Sequence, residues 1–185
     1  MKFVFAILIL STCFASSLLQ AQAAMSAQPA PVKDPVSASL KMLLPRSQNN
    51  TIGAIDAMPA DKFTYKPTDE QMTFAHLVAH IANSNYSLCA KAADVPAPKV
   101  DEAKDTDGKD KLLAAAKASF EFCSEALAKM DDSKLGDSVE LFGGRQFPRA
   151  MAALGLASGW ADHYAAAAMY LRLNKILPPS AQPKK

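Results

Sequence analysis

The chain has 185 residues, half of them hydrophobic, and its 20 Lys and Arg against 18 Asp and Glu give a formal charge of +2. Acidic and basic side chains interleave, so there is no basic stripe for nucleic acid and no electrostatic footprint for an anionic membrane. The length suits one domain.

Residues 1–23 carry the three parts of a secretory signal. Lys2 is the positive start, Phe3 to Leu10 is an apolar run that continues weakly to Leu19, and Ala21-Gln22-Ala23 is a small-residue exit. The apolar core falls well short of the roughly 20 residues that span a bilayer, so a cleavable signal is expected rather than an anchor. The mature protein is expected to begin at Ala24 or Met25 and to be exported, periplasmic or secreted, with no membrane association afterwards. Cys13 follows Leu10-Ser11-Thr12, a loose likeness to a lipoprotein signal that threonine before the cysteine argues against. Removing 23 of 185 residues leaves 162, and the loss of Lys2 brings the charge from +2 to +1.

Residues 24–33, rich in proline, alanine and polar side chains, have nothing periodic to bury and read as a flexible leader. Asp34-Pro35 then has the form of a helix start, with aspartate as the cap and proline in the first turn. A first helix is expected through Leu40, Leu43, Leu44, Ile52, Ile55 and Met58, kinked or split at Pro45. After a connector, Thr68-Asp69-Glu70-Gln71 has the form of a capping box for a second helix. Its buried stripe is expected at Met72, Phe74, Leu77, Val78, Ile81, Leu88 and Cys89.

Residues 92–108 hold Pro96, Pro98, Gly108 and the charged run DEAKDTDGKD, which reads as a solvated connection. It is long enough to cross the end of a bundle, so the third helix is not bound to lie antiparallel to the second. Leu112, Leu113, Ala116, Phe120, Cys123, Leu127 and Met130 mark the core face of that third helix. Val139 to Phe142 and Arg145 to Phe147, separated by Gly143-Gly144, suit a small hairpin or a plain loop. A fourth helix, about Pro148 to Ile176, is apolar enough to be buried on most sides, yet Asp162 and His163 at its middle make it a poor membrane span. Four helices with few β-branched runs specify an all-α four-helix bundle over residues 34–180, with a long connection between helices 2 and 3 and a disordered tail at 181–185.

Two cysteines remain after the signal, Cys89 and Cys123. An exported compartment lets them pair, and two buried thiols are the alternative. The three histidines, His76, His80 and His163, all fall in expected helices. The HLVAH run sets His76 and His80 four residues apart on one helical face, a spacing at which two imidazoles can reach one metal, with His163 joining from the fourth helix. The pattern alone fits equally a pair of partly buried imidazoles bonded to backbone or carboxylates. Glu-x-x-His pairs for a di-iron site, a haem-attachment motif, a phosphate-binding loop and a nucleophile elbow are all missing from the sequence. Trp160, Tyr164, Tyr170, Arg172 and Asn174 read as packing and helix-end residues, the tyrosines with hydroxyls at the rim.

The stretch WADHYAAAAMYLRLNKILPPS from Trp160 to Ser180 resembles the last helix of the DinB-like family of metal-binding four-helix bundles, at His163-Tyr164, Tyr170-Leu171-Arg172-Leu173 and Pro178-Pro179. AHLVAHIANSNYSLC is similar to that family's second helix, whose last histidine matches His80. The resemblance covers about Asp34 to Ser180 and implies that the two central helices run parallel. It implies His80 and His163 as metal ligands, with Gly159 where a further histidine belongs. Two ligands fall short of the three that zinc sites use, and His76 can complete the set only by leaning across about 6 Å of helix rise.

The resemblance implies a divalent metal, zinc or nickel, at an altered or vestigial site. Relatives in the family include metal-dependent hydrolases and thiol transferases, in which the metal activates water or a thiol. The competing expectation is a non-enzymatic binding or stress-related bundle. A small-molecule ligand and a homodimer are both compatible with the sequence.

Overall fold

The structure is a computed structural model and describes residues 30–183. The expected signal, its cleavage point and most of the leader lie outside the described residues, as do the last two residues of the tail. Four α-helices make up most of what is described: α1 (Pro35–Ala57), α2 (Phe74–Ala93), α3 (Lys109–Ala128) and α4 (Ala150–Leu173). Between α3 and α4 lies an antiparallel hairpin of β1 (Ser138–Leu141) and β2 (Arg145–Pro148), with Val139 opposite Phe147 and Leu141 opposite Arg145. Its turn needs the left-handed region at Gly143 (φ 81°) and Gly144 (φ 87°), where glycine carries no Cβ to clash. The hairpin reading of this segment therefore holds over the loop reading.

Each helix packs on two others, α2 against α3 and α4, and α1 against α4 and α3. The core is filled by Ile55 and Met58 from α1 and its end, Phe74 and Val78 from α2, Leu112, Phe120 and Leu127 from α3, and Leu156 and Leu171 from α4, all fully buried. Directions follow from which residues meet. Asn85 bonds Ser119 and Cys89 bonds Cys123, each pair 34 positions apart, so α2 and α3 run the same way. Phe74 meets Tyr170 while Asn85 meets Trp160, so α4 runs against α2. Residues 94–108 provide the crossing that parallel helices need. Asn83 fastens this crossing to α2 by accepting from the Ala103 N–H and donating to the Ala103 carbonyl, each at 3.0 Å.

Cys89 and Cys123 form a disulfide, with Cα atoms 5.2 Å apart and both residues fully buried, so the paired reading holds over free thiols. Several local expectations are corrected. Asp34 sits in the left-handed region (φ 51°) and its side chain does not cap α1. The cap comes from Asp132, beyond α3, whose carboxylate accepts from the N–H groups of Val36 and Ser37 at 2.8 Å each. Helix α1 is a single helix through Pro45 rather than two, so the split is excluded, and Leu43 faces solvent.

The capping box at Thr68 is not used. Phe74 N–H donates to the Tyr65 carbonyl and Ala75 N–H to the Phe63 carbonyl, so the connector folds back over the helix end. That placement moves the start of α2 to Thr73, whose hydroxyl accepts from His76 N–H at 3.1 Å, and leaves Met72 exposed. Helix α4 starts at Ala150, because the preceding residues belong to the hairpin, and it ends at Leu173 rather than Ile176. It also keeps one face open to solvent at Met151, Leu154, Met169 and Leu173.

Candidate functional site

Helices α2 and α4 bring two of the three histidines together. The rings of His80 and His163 meet edge to face with centroids 4.9 Å apart, a consequence of the antiparallel packing that also places Trp160 against Asn85 one turn away. His80 is exposed and its Nε2 lies 3.4 Å from the Ser84 hydroxyl one helical turn on. His163 is half-buried. Burial pushes its imidazole below the ordinary histidine range, the nearby His80 adds to that shift, and Asp162 opposes both in part. Near neutral pH, His163 is therefore held as a neutral imidazole with a lone pair to offer.

His76 takes a different partner. Its Nδ1 lies 3.6 Å from the Asp105 carboxylate on the crossing segment, and both side chains are about half exposed. His76 and His80 line one cleft of about 470 Å³ with Ala79, Asn83, Asp105 and Thr106, but only His80 also reaches His163. Among the described residues no group of three His, Cys, Asp or Glu is placed to hold a metal ion.

Gly159 explains the local geometry of the pair. Its position lies one turn before His163 on α4, and a Cβ built there would meet Cε1 of His163 at 3.6 Å and Nδ1 at 3.8 Å. The His163 ring has settled over the glycine, across the space in which a side chain from 159 would stand. As arranged, the residues present do not fit a three-ligand metal centre: His80 and His163 stand side by side, and Gly159 has no side chain to add to them.

Two other features had been missed in the sequence. Asn85, almost fully buried, accepts from Trp160 Nε1 at 2.9 Å and donates to Ser119 Oγ at 3.0 Å, tying three helices through one amide. Its signal was available: residue 85 falls on the apolar stripe of α2, four positions after Ile81, where a polar side chain needs buried partners. Arg149 is also buried. Its guanidinium donates to the Lys91 carbonyl and pairs with Asp94 at 2.9 Å, while its Nε has no partner among the described residues.

Asp94 is the left-handed residue that ends α2, and Lys134 meets its other oxygen. The hydrogen bond from Lys134, followed by the charge of Arg149, holds the Asp94 carboxyl below its usual range. Arg149 and Asp94 line a cleft of about 580 Å³ together with Ala90, Val95, Pro98, Val100 and Val139 and the polar side chains of Tyr86 and Glu102. No sequence signal pointed to it, because its walls come from three separate segments.

Comparison with known proteins places this geometry in a family. Residues 43–166 match the profile of the DinB superfamily. The fold is similar to that of a DinB-like protein from Bacillus cereus ATCC 10987, with a TM-score of 0.61 and 14% identity, covering 76% of this chain and 93% of that one. It is also similar to a DinB-like protein, YjoA, from Bacillus subtilis, with a TM-score of 0.63 and 20% identity, covering 78% of this chain and 99% of that one. At these identities the likeness is one of fold. No curated protein matches the sequence. The match runs from within α1 to within α4 and includes both residues of the histidine pair, and the chain belongs to the DinB superfamily.

Proposed function

We propose that this protein is an exported DinB-type bundle that acts by binding, with its metal position reduced to the imidazole pair His80 and His163. The observation that carries this reading is Gly159. It leaves the third ligand position without a side chain, and the neighbouring His163 ring lies over it. Zinc sites that catalyse need three protein ligands and an open position, and a pair of imidazoles holds a divalent ion weakly. The apolar-walled cleft of about 580 Å³ suits a small molecule as the bound ligand.

Export is supported by the signal-like start of the sequence and by the buried disulfide, which forms readily in an oxidising compartment. No helix among the described residues is long and apolar enough to cross a membrane.

A second reading, a metal-dependent hydrolase or thiol transferase relative, is favoured by one observation. His76 and His80 line one cleft with Asp105, one helical turn apart. The two readings separate in the metal content of protein purified without a histidine tag. Binding without catalytic metal predicts well under one equivalent of zinc or nickel, little changed in His80→Ala. Near one equivalent in the natural protein, lost in His80→Ala, would favour the second reading. Intact mass of the secreted protein is expected to show the loss of residues 1–23. Retention of Met1, or a diacylglycerol mass on Cys13, would overturn the export reading.

A further inference from the structure

Arg149 is a cation kept largely from water at the wall of an open cleft. It follows the hairpin directly and precedes α4, and its side chain is only 9% exposed. A guanidinium carries five N–H groups and no acceptor. One of these groups donates to the Lys91 carbonyl and one meets Asp94 at 2.9 Å, while Nε has no partner among the described residues. A buried donor left in that way is costly to a fold, and it calls for an acceptor. Lys91 and Asp94 both line the cleft of about 580 Å³, so the charged end of Arg149 stands at its wall.

The charges around Arg149 do not balance. Asp94 is shared, since Lys134 meets its other oxygen. Lys91 gives its ammonium to the Glu140 carbonyl, a neutral acceptor, so three cations gather about one carboxylate at this end of the cleft. The Glu140 carboxylate lies along the hairpin, with Oε1 3.9 Å from a Cβ built on Gly144. Glu102 lines the other end, beside the Ala103 that Asn83 fastens to α2. Asn83 and Asp94 are about three helical turns apart, about 16 Å at 1.5 Å per residue. Val95, Pro98, Val100 and Val139 supply apolar wall to the same cleft.

We propose that this cleft binds a small organic acid with an apolar body, its carboxylate accepting from the Arg149 guanidinium beside Lys91 and its body lying along Val95, Val100 and Val139. The inference rests on the binding role proposed above and names the chemical class that the cleft takes. A carboxylate matches a guanidinium in shape as well as charge, because two oxygens in one plane can accept from two N–H groups. Away from bulk water such a pair is screened less than one on an open surface. An alcohol of the same body keeps the apolar contacts and loses the ion pair. An ammonium meets like charges at the same place.

Amide NMR of the full chain, titrated in turn with 4-phenylbutyrate, 4-phenylbutanol and 4-phenylbutylamine, tests the proposal. The three probes share one apolar body and differ in terminal charge. Phenylbutyrate is expected to move the signals of Val95, Val100 and Val139 rather than those of His80 and His163, and to bind at least about fivefold more tightly than the alcohol, with the amine weakest. Arg149→Gln is expected to erase the advantage of the acid over the alcohol. Because Arg149 also holds Asp94, circular dichroism checks the fold of that variant, and if the fold is lost the order of the three probes on the natural protein decides. An alcohol or amine that moves the cleft signals at the affinity of the acid would overturn the acid assignment and leave the small-molecule reading standing. Acid-induced shifts centred on His80 and His163 would overturn the assignment of the site. No movement of the cleft signals by any of the three would overturn the proposal and the small-molecule reading together.

Discussion

Asp132 holds the start of a helix that lies about a hundred positions earlier in the chain. Its carboxylate serves the N–H groups of Val36 and Ser37, which α1 leaves unbonded at its first turn. Asp132→Ala is expected to cost about 1–2 kcal/mol in urea unfolding, the range for loss of a helix cap. Burial pushes the Asp132 carboxyl up, but the hydrogen bonds from Ser37 and Val36 outweigh it, and the net shift is downward. The folded state therefore takes up that proton less readily than the unfolded state. The stabilisation is complete above the unfolded carboxylate range and is lost as pH falls through the folded value. The gap between natural protein and variant should accordingly close in acid, and an unchanged gap there would contradict the assigned role.

His163 titrates with the opposite charge. Burial and then His80 lower its pKa, so the fold favours the neutral ring. Stability falls as pH drops from the unfolded value, about 6.5, through the lower folded value, because the unfolded chain binds the proton more readily. The melting temperature of His163→Phe, which keeps a ring at that position, should therefore fall less than that of the natural protein between about pH 7.5 and about pH 5. An equal fall in both would assign the acid sensitivity elsewhere.

At the scale of elements, the parallel pair α2 and α3 carries the covalent tie of the fold. Parallel neighbours require a crossing connection, and that connection, residues 94–108, gives the core little beyond Ala103. The disulfide closes a loop with a sequence separation of 34, for which the chain-entropy model gives about 3–4 kcal/mol. Replacing both Cys89 and Cys123 by alanine should lower stability by that order, with the loss of two buried sulfurs adding to it. A double variant as stable as the natural protein would show that packing alone holds the pair.

The four helices, the core face of α3, the hairpin and the cystine were legible in the sequence because each rests on local periodicity, turn chemistry or cysteine count. The helix ends were not. Thr68-Asp69-Glu70-Gln71 has the local form of a capping box, but backbone bonds from Phe74 and Ala75 to Tyr65 and Phe63 fix where α2 begins. The cap of α1 comes from Asp132, a contact that no window of neighbouring residues contains. The exposed face of α4 was hidden for a related reason. A helix apolar all round carries no amphipathic signal to say which side the bundle covers.

For the molecule as a whole, the bundle gathers its chemistry-bearing residues on both sides of the crossing segment. Asn83 anchors that segment between the cleft holding His76 and His80 and the larger cleft lined by Arg149. His80 and His163 were legible through the resemblance of their two helices to one family. The pairing of His76 with Asp105 was not, because Asp105 sits in a charged run with no distinguishing pattern. On the proposed reading, one missing side chain, at Gly159, separates this bundle from a three-ligand metal site.

Zinc titration of tag-free protein by calorimetry, natural beside Gly159→His, tests that claim most directly. A Cβ at 159 meets the His163 ring only at ordinary contact distance, so the new side chain has room if that ring turns. The natural protein is expected to bind weakly, and Gly159→His is expected to show one site that is tighter by at least about tenfold and weakens as pH falls through the histidine range. Tight, stoichiometric binding by the natural protein, or no gain in Gly159→His when circular dichroism shows it folded, would contradict it.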